Sequence, residues 1–244
     1  MEVRKVAFFE VKHIVKNFGG LCAVNDISFT LEKGRVLGLI GPNGSGKTTL
    51  FNLINGFFPL TAGEIHFKGR RIDLLPTHMI CTLGIARTFQ VVKPLKRMSV
   101  LENVMAGAFL RTASVSVARQ RALEILDFCD LSGKREMDAG KLTIADRKRL
   151  EIARALATEP ELLLLDETAA GLNPKETEEA VEIIRKIRDA GIAIIIVEHK
   201  MKVIMGVSEK ILAINFGREI VQGEPREVIN HPEVIKAYLG DYYA

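Results

Sequence analysis

The sequence predicts an α/β fold built on a mainly parallel sheet, with a block of helices inserted into it. Short continuous apolar runs at residues 36–40, 162–165 and 192–197 alternate with segments of helical spacing, and residues 91–158 show helical spacing without a convincing strand. Apolar runs of this length are how strands buried on both faces look, as they are where crossover helices cover a parallel sheet. Residues 6–11 and 27–31 are also β-rich, so that residues 3–40 read as successive strands. A helix over 46–55 follows, closed by Gly56 and Pro59, and 63–69 returns to strand, with Ile65 and Phe67 alternating with polar neighbours. Within the helical block, 99–110, 116–131 and 144–157 carry the period. The helix expected over 175–189 has the clearest signals: Asn173 as N-cap, Pro174 at the first helical position and Glu176 at N3. Glu178 and Glu179 lie early and Arg185, Lys186 and Arg188 late, which complements the helix dipole before Gly191 stops it. Strands alternating with helices place a ligand at the C-terminal ends of the strands.

Bulk composition narrows the class. With 244 residues, 48% hydrophobic and 26% charged, the chain can bury a substantial core and is not of the disordered type. A net charge of +4, from 34 basic and 30 acidic side chains, fits an anionic ligand or a membrane surface and does not imply nucleic-acid binding. Cys22, Cys81 and Cys129 are far apart without a CxxC pair, which points to reduced thiols packing as small apolar residues in a cytosolic protein. The N-terminus lacks the pattern of a signal peptide, and no run approaches the roughly 20 apolar residues of a membrane span.

Gly41-Pro42-Asn43-Gly44-Ser45-Gly46-Lys47-Thr48 fits the spacing G-x-x-x-x-G-K-[ST], between an expected buried strand and an expected helix. Glycines let backbone wrap closely around phosphates, and the amides and positive helix N-terminus then face the anion. Lys47 is placed to reach β- and γ-phosphates and the Thr48 hydroxyl to ligate Mg²⁺. The strand at 162–165 ends in Asp166-Glu167. Asp166 suits Mg²⁺ through its water shell, and Glu167 suits the orientation or deprotonation of an attacking water. An acidic pair capping a surface turn would look the same in isolation. The GTPase phrase Asn-Lys-x-Asp is absent from the sequence.

Across nearly its whole length the sequence resembles the ATP-binding subunits of ABC transporters, and among these the branched-chain amino-acid importers. The phrases that carry the resemblance are Phe18-Gly19-Gly20-Leu21, Gly41 through Thr49, Arg87-Thr88-Phe89-Gln90, the RLEIAR run at 149–154, Ala169-Ala170-Gly171-Leu172-Asn173-Pro174, Val197-Glu198-His199 and the tail 231–240. The resemblance implies a P-loop NTPase of the ABC type. Its parallel core and N-terminal antiparallel β subdomain would take residues 1–90 and 159–244, and its inserted helical subdomain 91–158. It further implies ATP and Mg²⁺ as cofactors. Phe18 would stack on adenine, Gly41 through Thr49 would hold the nucleotide, and Gln90 would contact the metal or the attacking water. Glu167 would be general base, and His199 would contact the γ-phosphate. It implies a second ATP-binding subunit, transmembrane permease subunits and an extracytoplasmic binding protein as partners, and a place at the cytoplasmic face of the membrane. Membrane helices would dock between the Gln90 region and the helical block from Ser99.

The main departure lies where the family carries Leu-Ser-Gly-Gly-Gln; here stand Leu142-Thr143-Ile144-Ala145-Asp146. Thr143 keeps a hydroxyl and the following helix its N-terminal amides, so an anion could still be held. Ile144 and Ala145 put side chains where glycines let backbone approach the partner's γ-phosphate. Asp146 adds a negative charge there, with Arg147, Lys148 and Arg149 as its expected counterweight. Thr168, in place of proline, and Ala170 and Asn173 in the next loop are expected to alter contacts between subunits. A lipid or lipopolysaccharide exporter driven by the same engine is the neighbouring alternative. A soluble cassette of DNA repair or translation would bring paired cassettes or coiled-coil insertions, and a nucleotide-controlled module with little turnover would not need both Glu167 and His199. Two sites of unequal competence are thus expected: in the assembled transporter Glu167→Gln removes most ATPase activity while substitution of Asp146 costs less, and comparable losses would contradict the asymmetry.

Overall fold

The computed structural model describes residues 6–89 and 93–239. Strands β1 (Phe9–Phe18), β2 (Leu21–Leu31) and β3 (Val36–Ile40) lead to helix α1 (Lys47–Ile54), followed by β4 (Ala62–Phe67), β5 (Arg70–Arg71), α2 (Thr77–Thr82) and β6 (Ile85–Arg87). Three helices come next, α3 (Val100–Ala108), α4 (Val115–Phe128) and α5 (Ile144–Leu156). The chain then runs through β7 (Leu162–Asp166), α6 (Pro174–Asp189), β8 (Ala193–Val197), α7 (Met201–Val207), β9 (Lys210–Asn215), β10 (Arg218–Gly223), α8 (Pro225–Ile229) and α9 (Pro232–Leu239).

One sheet has the order β10-β9-β3-β8-β7-β6, parallel throughout except for β10. The apolar runs seen in sequence are its central strands, and their side chains divide by parity. Leu37, Leu39, Leu162, Leu164, Ile195 and Val197 enter one core with α1, while Val36, Ile40, Leu163, Leu165, Ile194 and Ile196 enter the other with α3 to α6. Both faces are dry, so no position on these strands can be polar without a partner. The second sheet, β2-β1-β4-β5, is antiparallel and closes over α1, whose Leu50, Phe51 and Ile54 are fully buried between the sheets.

The mainly parallel core, the antiparallel N-terminal sheet and the inserted helices agree with expectation; several element bounds do not. The first strand begins at Phe9, leaving Val6 outside it and exposed, and continues to Phe18 in a hairpin with β2. Register shifts near His13 and Lys16, with His13 at φ 45°, break the alternation that would have revealed so long a strand. Strand β6 is three residues long, too short for any period. Cys129 packs in the core as expected, whereas Cys22 is exposed on β2. Among the described residues no helix is long and apolar enough to cross a membrane.

Asn173 caps α6 by accepting from the Glu176 amide, and the Glu176 carboxylate in turn accepts from the Asn173 amide. Ser99 and Glu102 build the same reciprocal cap on α3. Those caps satisfy helix-end amides that would otherwise face the loops around the strand ends.

Candidate active site

Strand β3 delivers the loop 41–46 to the sheet's C-terminal edge, and α1 starts at Lys47. A Cβ on Gly41 would lie 2.2 Å from the Ile214 carbonyl oxygen, and one on Gly46 2.6 Å from that of Ala23, so both positions exclude a side chain. The Gly41 amide donates to the Tyr238 hydroxyl of α9 (2.8 Å), and the Gly217 amide donates to the Ser45 carbonyl (2.9 Å). Burial pushes the Tyr238 phenol above its ordinary value, against the opposing bond from Gly41. The Lys47 ammonium folds over the loop and donates to the carbonyls of Gly41 (2.7 Å) and Pro42 (2.8 Å) and to Ser45 Oγ (3.3 Å). Burial lowers its pKa, and the charges of Glu167 and Asp166 work in the other direction. Asn43, Gly44 and Thr48 are exposed, while Pro42, Gly46 and Thr49 are half-buried. A nest of amides with a lysine at its centre is built to receive phosphate.

Parallel pairing aligns Leu39 with Val197 and Val197 with Asp166, so the acidic end of β7 sits level with the root of the loop. Thr48 and Asp166 line one cleft of about 760 Å³ together with Arg87, Phe89, Glu151 and Arg154. A hydroxyl and a carboxylate are the hard oxygen donors that Mg²⁺ takes. Among the described residues no group of three or more His, Cys, Asp or Glu could hold a metal alone. The Thr48 hydroxyl and Asp166 carboxylate fit an ion that brings further oxygens with it, as one carried on phosphates does.

Glu167 adopts φ 51°, the left-handed region in which a non-glycine residue is strained by about 1–3 kcal/mol. Its amide donates to the Val197 carbonyl (2.9 Å), and its carbonyl accepts from Lys148 Nζ of α5 (2.6 Å). Those bonds hold the turn so that His199 Nε2 donates to Glu167 Oε1 at 3.1 Å, the carboxylate being acceptor only. Behind this pair lies the buried Glu198, which accepts from the Ala169 amide (2.6 Å) and the Thr168 hydroxyl (3.1 Å). Burial raises the pKa of Glu198, while those two bonds lower it. The same burial depresses Lys148, set against the charges of Glu198, Glu151, Glu167 and Asp166. Sequence reasoning gave Glu198, Lys148 and Arg87 no role at this edge; for Glu198 the signal was its adjacency to His199. The Thr168 hydroxyl is engaged within the chain, donating to Glu198.

The signature region differs from expectation in how its charges are balanced. Thr143 caps α5: its hydroxyl accepts from the Asp146 amide (3.2 Å) and donates to Asp146 Oδ2 (2.7 Å). Lys134 donates to the same oxygen (2.5 Å). Burial opposes ionisation of Asp146, yet the bonds from Lys134 and Thr143 hold its carboxyl below the ordinary range. Asp146 is therefore neutralised chiefly by Lys134, with the Arg149 charge adding to it, while the hydrogen bonds of its sequence neighbours go elsewhere. Arg147 donates to the Gly140 carbonyl, Lys148 to Glu167 and Arg149 to Glu179. The helix N-terminus already carries a carboxylate of its own chain, which weakens its claim on a second anion. Leu142 and Ala145 are buried, and Ile144 is 60% exposed. Phe18 sits at the end of β1, edge-on to Phe58 and beneath Lys16, at the tip of the hairpin whose Ala23 meets Gly46. Gln90 lies outside the described residues.

A phosphate-binding loop, a paired Asp-Glu at an adjacent strand end and a strand-end histidine on that glutamate define a P-loop nucleotide hydrolase. The family description "ABC transporter" matches residues 24–170, and "Branched-chain amino acid ATP-binding cassette transporter" matches residues 218–244. The chain is 41% identical over 247 residues to the high-affinity branched-chain amino acid transport ATP-binding protein LivG of Salmonella typhimurium, covering 95% of this chain and 97% of that one. It is 40% identical to BraF of Pseudomonas aeruginosa at the same coverages, and 34% identical to the lipopolysaccharide export ATP-binding protein LptB of Escherichia coli over 97% of this chain and 98% of that one. A nucleotide-free ATP-binding cassette from an ABC transporter superposes with a TM-score of 0.88 at 31% identity, covering 96% of this chain and 99% of the other. The chain belongs to the ABC transporter family, as one of its ATP-hydrolysing cassettes.

The Asp146 cap carries a pH signature. A depressed native pKa contributes stability that is present above the unfolded value and lost as pH falls through the native one. Asp146→Ala should lower the urea midpoint near neutrality, and its gap to wild type should narrow below about pH 4. A gap that widens on acidification would contradict the arrangement.

Proposed function

We propose that this chain is the energy-coupling ATPase of an importer for branched-chain or other hydrophobic amino acids. The observation that carries the catalytic half is the convergence of Glu167, His199 and the Lys47 loop on one strand edge. The cargo half is supported by the identity of 40–41% with branched-chain amino-acid transport subunits and by the match of the tail at 218–244. The lower identity to the lipopolysaccharide exporter subunit makes export the second reading.

In this reading the triphosphate takes the amides of residues 41–49. The Lys47 ammonium exchanges the Gly41 and Pro42 carbonyls for phosphate oxygens, a stronger charge-assisted pairing. Phe18 stacks on the adenine. Thr48 and Asp166, with Gln90, hold Mg²⁺, which when bound supplies positive charge against the phosphate oxygens. Glu167 orients the attacking water and accepts its proton, while His199 donates to the γ-phosphate. The bonds that hold Glu167 at its strained turn keep its carboxylate in place, so little reorganisation remains for the reaction.

A second ATP-binding subunit faces this one, the permease subunits dock in the cleft beside Phe89 and α3, and an extracytoplasmic binding protein delivers cargo. The domain limits are 1–90 with 159–244 for the core and 91–158 for the helical part, and the chain is peripheral at the cytoplasmic face of the membrane. With Asp146 already seated at the start of α5 and Ile144 protruding, the composite site completed by residues 142–146 is the slower of the two.

The test is ATPase activity of the complex purified with its membrane and binding-protein partners in lipid vesicles. Leucine, isoleucine or valine should raise turnover, and His199→Ala should reduce it by about a hundredfold or more with ATP binding retained. Stimulation by a lipid cargo and by no amino acid would overturn the cargo assignment.

A further inference from the structure

No step above uses Arg87, the last residue of β6. Its side chain is 4% exposed, as is that of Asp166 on the neighbouring strand. Nη2 donates to Asp166 Oδ2 (2.8 Å), and Nη1 donates to Asn52 Oδ1 of α1 (2.6 Å). The guanidinium lies between two aromatic rings, 5.4 Å from the centroid of Phe51 and 5.2 Å from that of Phe89. The Arg87 fork thus ties the helix that begins with Lys47 and Thr48 to the carboxylate at the end of β7.

Thr88 completes the clamp on the backbone side. Its amide donates to the Leu164 carbonyl (2.9 Å), and its hydroxyl accepts from the Asp166 amide (3.0 Å). Two consecutive residues therefore fix Asp166 at both its main chain and its side chain. Phe89 continues the series by donating its amide to Glu151 of α5 (2.8 Å).

A buried ion pair is poor stabilisation, because desolvating both charges cancels most of the attraction. A monodentate contact does determine geometry. It engages Oδ2 and restrains rotation of the carboxylate, which favours Oδ1 as the oxygen presented to a ligand. Lysine could not do the same, since a single ammonium lacks the planar fork that reaches Asn52 and Asp166 together.

We propose that Arg87 is a positioning residue for the metal ligand Asp166, orienting its carboxylate towards the Mg²⁺ carried by ATP. The proposal rests on the reading of the Lys47 loop as a MgATP site and deepens it. Its part is played through Asp166, by the contact of Nη2 with Oδ2.

The test is titration of the full chain with ATP, once with Mg²⁺ and once with EDTA, for wild type, Arg87→Met, Arg87→Lys and Asn52→Ala. Arg87→Met should weaken binding about tenfold or more in Mg²⁺ and by less than about twofold in EDTA. Arg87→Lys should show the same selective loss at smaller amplitude. Equal losses in the two arms, no loss in either, or tighter binding in Mg²⁺ would overturn the proposal, the last because it would make Arg87 a competitor of the metal. If the Arg87 variants fail to fold, Asn52→Ala decides. It leaves the ion pair and loosens the guanidinium, so a loss confined to the Mg²⁺ arm supports the proposal and unchanged binding in both arms overturns it. A wild-type chain that does not bind MgATP would strike the reading of the loop itself, and is thereby distinguishable.

Discussion

Parallel pairing of three dry strands sets Leu39, Val197 and Asp166 in one row, and the chemistry of the molecule depends on that register. Because both faces of β3, β8 and β7 are buried, polar groups can emerge only where the strands end. All three ends open on the same edge, so the phosphate loop, the Asp166-Glu167 pair and His199 meet without any long-range device. A one-residue slip of β7 would turn Leu165 and Asp166 to the opposite faces and bury a carboxylate in the core.

The edge is held from behind by charges with little access to solvent. Glu198 gathers the Thr168 hydroxyl and Ala169 amide, Lys148 reaches the Glu167 carbonyl, and Arg87 holds Asp166. Each links a different part of the fold to the same turn: the residue after β8, α5 and β6. Burial works against ionisation of Glu198 and Lys148, so these groups cost stability taken singly. What they supply is fixed geometry at a strained residue, Glu167. The helical block is thereby joined to the hydrolytic edge through Lys148 and through Glu151, which holds Phe89.

Most of the architecture was legible in sequence because its signals were local. The central strands declared themselves as unbroken apolar runs, and α6 declared itself through the Asn173-Pro174-Glu176 cap, which the structure reproduces bond for bond. The β1–β2 hairpin was only partly legible because bulges at His13 and Lys16 broke its alternation, and β6 gave no period to find. Residue positions at the site could be proposed from spacing and resemblance, but partners could not. Asp146 was expected to lean on Arg147, Lys148 and Arg149, its neighbours in the chain. Arg149 does add its charge, but folding takes the hydrogen bonds of all three elsewhere and brings Lys134 across to the carboxylate. Side-chain pairing across 12 to 79 residues of sequence, as for Lys134 with Asp146 and Arg87 with Asp166, is invisible to any local pattern.

The most direct test is a crystal structure of the chain with Mg²⁺ and a non-hydrolysable ATP analogue. The account predicts that Lys47 leaves the Gly41 and Pro42 carbonyls for the β- and γ-phosphates, with Thr48 and Asp166 on the metal side and Glu167 and His199 facing the terminal phosphate. A nucleotide bound away from the loop, or phosphates in the loop with Asp166 and Glu167 turned from them, would contradict it.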